Sequence, residues 1–475
     1  MKKLMSMVFA AVLFLAQFVG VTHVSIAADQ LEGWHMVPKI LQNINPPTFP
    51  NKTFDITDFG AVGDGMTKNT EAFKKAIKAA HDAGGGIVNV PKGVYLTGAI
   101  HLLSNVNLHV TKDATIKFSQ DPNDYLPVVK TRFEGVELMN YSPLIYAYQQ
   151  KNIAITGEGT LDGQGDNEHW WPWKGSSEYG WEEGMPNQAN DSNLLGEMAA
   201  NGVPVNERVF GAGHYLRPNM IQPYESENVL IQGVTIKNSP MWHIHPVLSE
   251  NVTIDDVTIV GHGPNNDGID PESSKNVLIE NSYFENGDDC IAIKSGKNED
   301  GRRVNTPSEN IVIQNNHMAD GHGAVVIGGE MSGSVYNVFA RNNVMDSPNL
   351  DRVLRIKTNS YRGGTVDGVF LKNNKVKSVG EAVIRINTVY DNDDGLGGHI
   401  ATIRNVEVKN LQSSGGKYGI LIDGDARSPI ENLRIYNSKM DGVQIPYSVN
   451  NLGSAELKHV VINGSSVTTE DLLGK

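Results

Sequence analysis

The chain of 475 residues carries a single cysteine, Cys290. One thiol makes no intrachain disulfide, so stability has to come from a packed core even in a compartment that permits disulfides. Basic residues are also in deficit: 40 Lys and Arg stand against 54 Asp and Glu, a net charge of −14. Phosphate binding needs a basic footprint, so nucleic acid is not an expected partner. A polyanionic sugar stays open, because a local cluster of cations can focus the field inside a cleft on an acidic protein. Helical periodicity is nearly absent. So is any later apolar run approaching the roughly 20 residues that span a bilayer.

The one long apolar stretch lies at the start. Met1-Lys2-Lys3 precedes Met7 to Val21, and Ser25-Ile26-Ala27 precedes Ala28-Asp29. That is the charged, apolar and small-residue order of a secretory signal peptide, and the stretch is shorter than a membrane anchor requires. Residues 1–27 are therefore expected to be cleaved, leaving a secreted protein, extracellular or periplasmic and free of the membrane. Subtracting Lys2 and Lys3 from −14 leaves it at −16.

From about Asn105 onward one phrase recurs: Asn or Gly, alternating apolar residues, then Asn or Gly again. It begins at Asn105, Asn152, Asn228, Asn251, Asn276, Asn310, Asn337, Gly368, Asn405 and Asn432. From Asn228 the starts are 23, 25, 34, 27, 31, 37 and 27 residues apart, a period that marks a solenoid. Each unit is rich in Val and Ile at period two and broken by residues that tolerate tight turns. Stacking such units gives an all-β fold, a parallel β-helix with aliphatic residues inward. Residues 28–475 are expected to form this as a single domain. Its cap region spans about 53–100, with one helix after Asn69 whose stripe Ala72, Phe73, Ala76, Ile77 and Ala80 covers the open end. The Asn positions at the turns read as structural ladders.

Aligning the units finds a cluster. An offset of 34 superposes Cys-Ile-Ala-Ile-Lys after Asp289 on Ala-Val-Val-Ile-Gly after Gly323 and lays Asp288 over His322. An offset of 22 pairs Asp267 with Asp289, and one of 29 pairs Val326-Ile327-Gly328 with Arg355-Ile356-Lys357. The inward rows become Ile269, Ile291, Val325, Leu354 and Ile293, Ile327, Ile356. Neighbouring strands lie about 4.8 Å apart, so three acids, a histidine and two cations converge on one exposed face. The small column Gly268, Cys290, Ala324 is expected to let a substrate approach the backbone. Clustered carboxylates repel, so at least one should retain its proton while cations keep others ionised. An acid and a base flanking one bond serve glycoside hydrolysis. Arg355 and Lys357 add donors for a uronate carboxylate.

The ordered set Asn265-Asn266-Asp267, Gly287-Asp288-Asp289, Gly321-His322-Gly323 and Arg355-Ile356-Lys357 resembles glycoside hydrolase family 28, the polygalacturonases, and the likeness runs from about Thr53 to the last repeats. The resemblance implies a right-handed β-helix acting on polygalacturonate or pectin oligosaccharide. It makes Asp288 the general acid, with Asp267 and Asp289 activating water for inversion. His322 would organise the site, Arg355 and Lys357 would bind the galacturonate carboxylate, and no metal or other cofactor is implied. Asn266 departs from the family's usual Thr.

The stretches GPNNDGIDPESS, GRRVNTPSEN and GGEMSG look more like the bacterial exo-acting branch. The segment between Asp162 and Asn228 would close one end of the cleft, and Arg302, Arg303 and Arg362 would bind further carboxylates. Endo action, a rhamnogalacturonan hydrolase, a calcium-dependent pectate lyase and a noncatalytic β-helix binder remain the alternatives. Trp170, Trp171, Trp173, Tyr179 and Trp181 crowd one segment, where packing under a loop and stacking on sugar are equally open. The protein is expected to act as a monomer.

Overall fold

The computed structural model describes residues 33–391 and 393–474. The expected signal peptide, residues 1–27, lies outside them. No helix among the described residues is long and apolar enough to cross a membrane.

The strands coil into a right-handed parallel β-helix, the hand expected for crossovers between parallel strands. Strands that follow the Asn phrase stack in one long sheet, from Val106–Val110 through Lys151–Gly157, Glu227–Gln232 and their successors to Glu431–Met440. The Asn itself explains each entry. From Asn105 to Asn337 it adopts φ between 54 and 66°, a left-handed turn that Asn tolerates better than β-branched residues. From Asn152 to Asn337 each side-chain amide then donates to the Asn one coil back, at 3.0–3.3 Å. Gly368 keeps the left-handed φ, 80°, but carries no amide, and the ladder breaks there.

A second face carries the site. Its inward row runs Ile100, Ile145, Ile221, Ile244, Ile269, Ile291, Val325, Leu354, Ile384 and Ile420, every member at most 2% exposed. Between Ile221 and Ile291 the coils are joined here only by isolated bridges. The adjacent column explains this: Pro223, Pro246 and Pro271 occupy it, and proline has no N–H for the ladder. From Ile291 onward Ile293, Ile327, Ile356 and Ile386 fill the same column and pair regularly.

The cap helix is Thr70–Asp82, with Ala72, Phe73, Ala76, Ile77 and Ala80 buried against the first coil. Asn69 does not cap it through its side chain; that amide instead joins Val62, Thr67 and Leu96. At the other end Thr468 and Asp471 form a capping box on the short helix Thr469–Leu473. One core runs from Ile56 to Leu472.

Candidate active site

Asp267 and Asp289 sit at coil corners, two residues before the inward residues Ile269 and Ile291. Backbone bonds from Gly268 N to Asp289 O and from Ile269 N to Cys290 O, both 2.9 Å, fix the offset of 22. The offsets of 34 and 29 are likewise present, as Ile291↔Val325 and Val326↔Arg355. Asn266 braces the corner before Asp267. Its amide donates to the carbonyls of Ser239 at 3.0 Å and Met241 at 2.9 Å, while its oxygen accepts from Gly263 N at 3.0 Å.

One oxygen from each of Asp267, Asp288 and Asp289 lies within 4.8 Å of the other two. The cluster is not on an exposed face, as the alternation alone implied: Asp267 and Asp288 line a cavity of about 340 Å³, and Asp289 is buried beside them. Asp289 is 0% exposed and Asp267 2%. Asp289 is held at both oxygens, by Arg355 Nη1 at 3.0 Å and Lys357 Nζ at 2.7 Å. Although wholly buried, it is kept well below the usual carboxylate range by Lys357, Arg355 and Lys294. Tyr390 lies against both cations, 5.6 Å from the Arg355 guanidinium and 5.5 Å from Lys357 Nζ.

His322 Nδ1 stands 3.0 Å from Asp288 Oδ1. Burial works against the Asp288 anion, but this hydrogen bond together with the charges of Lys357 and His322 outweighs it and the carboxyl falls below its ordinary value. The same bond raises His322. Asp267 goes the other way: burial, then the neighbouring Asp288, push it well up. Of the three carboxyls, the expected proton is therefore favoured on Asp267.

Several groups were not identified from sequence. Lys294 Nζ lies 3.1 Å from Glu330, 3.8 Å from Asp270 and 3.9 Å from Asp267, over the Trp242 ring at 4.6 Å. Asp270, fully buried, is raised by burial and then by Asp267. The alternation that points Arg355 and Lys357 outward does the same for Asp270 and Lys294.

Other expectations fall differently. Arg362 lines the cavity and donates to Gly329 O and Asn298. Arg302 and Arg303 do not line it. Arg302 is taken up by Glu299 and the carbonyls of Tyr361 and Arg362, and Arg303 by Asp300 and Glu137. The column Gly268, Cys290, Ala324 is not a substrate approach. At the corner two successive residues turn inward, and a Cβ on Gly268 would stand 2.8 Å from the Phe284 ring. Trp170, 2% exposed, packs edge-on against Tyr125 and Trp173. Trp171 donates to Ser239 O and packs at Gly263. These two support the loop and present no sugar platform.

A stacked β-helix carrying an acid triad beside paired cations defines a polysaccharide-cleaving enzyme of the glycoside hydrolase class. The comparisons agree. The model of glycosyl hydrolases family 28 matches residues 211–461, and that of rhamnogalacturonase A/epimerase, pectate lyase-like, matches residues 53–121. The chain belongs to glycosyl hydrolases family 28.

A hyperthermoactive exopolygalacturonase from Thermotoga maritima is 51% identical, with 91% of this chain and 96% of that one covered and a TM-score of 0.88. A probable polygalacturonase of Vitis vinifera is 33% identical over 68% of this chain and 60% of its own length. An exo-poly-alpha-D-galacturonosidase of Dickeya chrysanthemi is 29% identical over 87% of this chain and 71% of its own.

Proposed function

We propose that the protein is a secreted exo-acting polygalacturonase, hydrolysing α-1,4-galacturonosyl linkages with inversion. The observation that carries this is the convergence of Asp267, Asp288 and Asp289 at a cavity lined by Asp267, Asp288, Arg355 and Lys357. The relatives named as exo-acting support the mode of attack, as does a wall at one side of the cavity. There the hairpin Val129–Phe133/Val136–Asn140 ends in the turn Glu134-Gly135, with Glu134 lining the cavity.

Asp288 is the general acid in this scheme. It shares one proton with His322, and an anionic sugar arriving beside it favours the protonated carboxyl. Asp267, raised in pKa, is suited to take the proton of the attacking water, because a base works best with its pKa near the operating pH. Asp289, ionised and pinned, orients the same water. The remaining N–H groups of Arg355 receive the uronate carboxylate.

The carboxylate oxygens lie nearer one another than the roughly 6.5–9.5 Å usual between acid and base in inverting enzymes. The water must therefore lie above the triad rather than between two facing acids, and inversion rests on the family resemblance. Proton NMR of the first-formed anomer tests it.

Replacing Asp288 by Asn should lower release of reducing sugar from polygalacturonate by about 100- to 10,000-fold with an unchanged circular dichroism spectrum. Full turnover in that variant would remove Asp288 from the acid role.

A further inference from the structure

We propose that Lys297 is a specificity-determining residue that binds the carboxylate of the sugar at the walled side of the cavity, with Glu134 as the partner it exchanges for substrate. The proposal rests on the polygalacturonase reading above.

Lys297 and Glu134 face each other across the cavity wall at 3.5 Å, with side chains 27% and 21% exposed. That is a loose, solvent-accessible pair, weak enough to be displaced by a ligand carboxylate. Both groups are nevertheless fixed in place. The Lys297 N–H donates to Gly135 O at 3.0 Å. A Cβ on Gly135 would stand 2.9 Å from that same Lys297 nitrogen, and its φ is 82°, so the tip fits this closely only with glycine there.

Behind the tip, Arg132 pairs with Glu272 at 3.0 Å, both side chains at most 1% exposed. Glu272 also accepts from Gly296 N at 3.0 Å. The hairpin is thus bolted to the segment that carries Lys297. The ammonium pairs with Glu134 and shares its field with Glu330, while Asp289 is paired with Arg355 and Lys357. A cation so placed, paired with Glu134 rather than with an aspartate of the triad, is matched to a second anionic group on the substrate.

The test compares trigalacturonate with its methyl ester, which lacks the anionic groups. Lys297→Met keeps the aliphatic stem. It should raise KM for trigalacturonate by about 10- to 100-fold, the worth of a lost charge-assisted hydrogen bond, with kcat nearly unchanged. The preference for the acid over the ester should shrink by the same factor.

Glu134→Gln frees Lys297 and should lower KM for the acid. The two variants therefore move KM in opposite directions, which a merely structural pair would not do. An unchanged acid-to-ester preference in Lys297→Met, or weakening of equal size in both variants, overturns the proposal. If instead the wild type releases sugar from neither substrate, it is the polygalacturonase reading that fails.

Discussion

Asp288 and His322 are separated by 34 positions in the chain, yet their side chains meet at 3.0 Å because they occupy the same place on successive coils. The bond raises the imidazole and lowers the carboxyl, so the pair holds one proton over a wider pH range than either group alone. The rate should be bell-shaped in pH. It falls on the acid side as Asp267, raised by burial and Asp288, takes up a proton. It falls on the alkaline side as the raised His322 gives one up. In His322→Ala the alkaline limb of kcat/KM should move to lower pH. A limb that stays in place would separate His322 from the acid function.

Lys357 bonds Asp289 and its charge also reaches Asp267, lowering both. Its removal lets both carboxyls rise. In Lys357→Ala the acid limb should shift to higher pH, together with a KM increase of about 10-fold or more from the lost cation. A purely substrate-binding lysine would raise KM and leave the limb where it was, and pH profiles of kcat/KM distinguish the two.

Asp267 makes the site at a cost in stability. Its pKa is raised in the folded chain, so it contributes nothing adverse below the unfolded value near 3.9. As pH rises above that value, the unfolded chain ionises more readily than the folded one and stability is lost. Asp267→Asn should therefore raise Tm at neutral pH by roughly 1–3 °C while abolishing turnover, and the gain should vanish below about pH 4. Calorimetry at both pH values checks this; an equal or lower Tm at neutral pH contradicts it.

Much of this is legible in the sequence. The repeat, the cap helix and the offsets 22, 34 and 29 follow from Asn at the turns and the inward Ile and Val rows, since one slipped residue would turn every aliphatic outward. The same alternation misled at Gly268, where the chain bends at a coil corner and two neighbours face inward. Asp270 and Lys294 obeyed it and were still passed over, because neither belongs to a recognised motif.

The cavity wall was not legible. Glu134 lies in an antiparallel hairpin outside the repeat. Its position is set by pairs such as Arg132–Glu272 and Arg208–Asp300, between residues far apart in sequence with no shared period. For the same reason Arg302 and Arg303 read as free cations although Glu299, Asp300 and Glu137 engage them.

The most direct test of exo-acting hydrolysis is a time course of products from polygalacturonate, resolved by chromatography from the first minutes. A cavity walled by the Val129–Asn140 hairpin predicts galacturonate monomer alone while the long chains shorten slowly. A mixture of oligomers at the earliest points would contradict that reading and place the chain with the endo-acting enzymes.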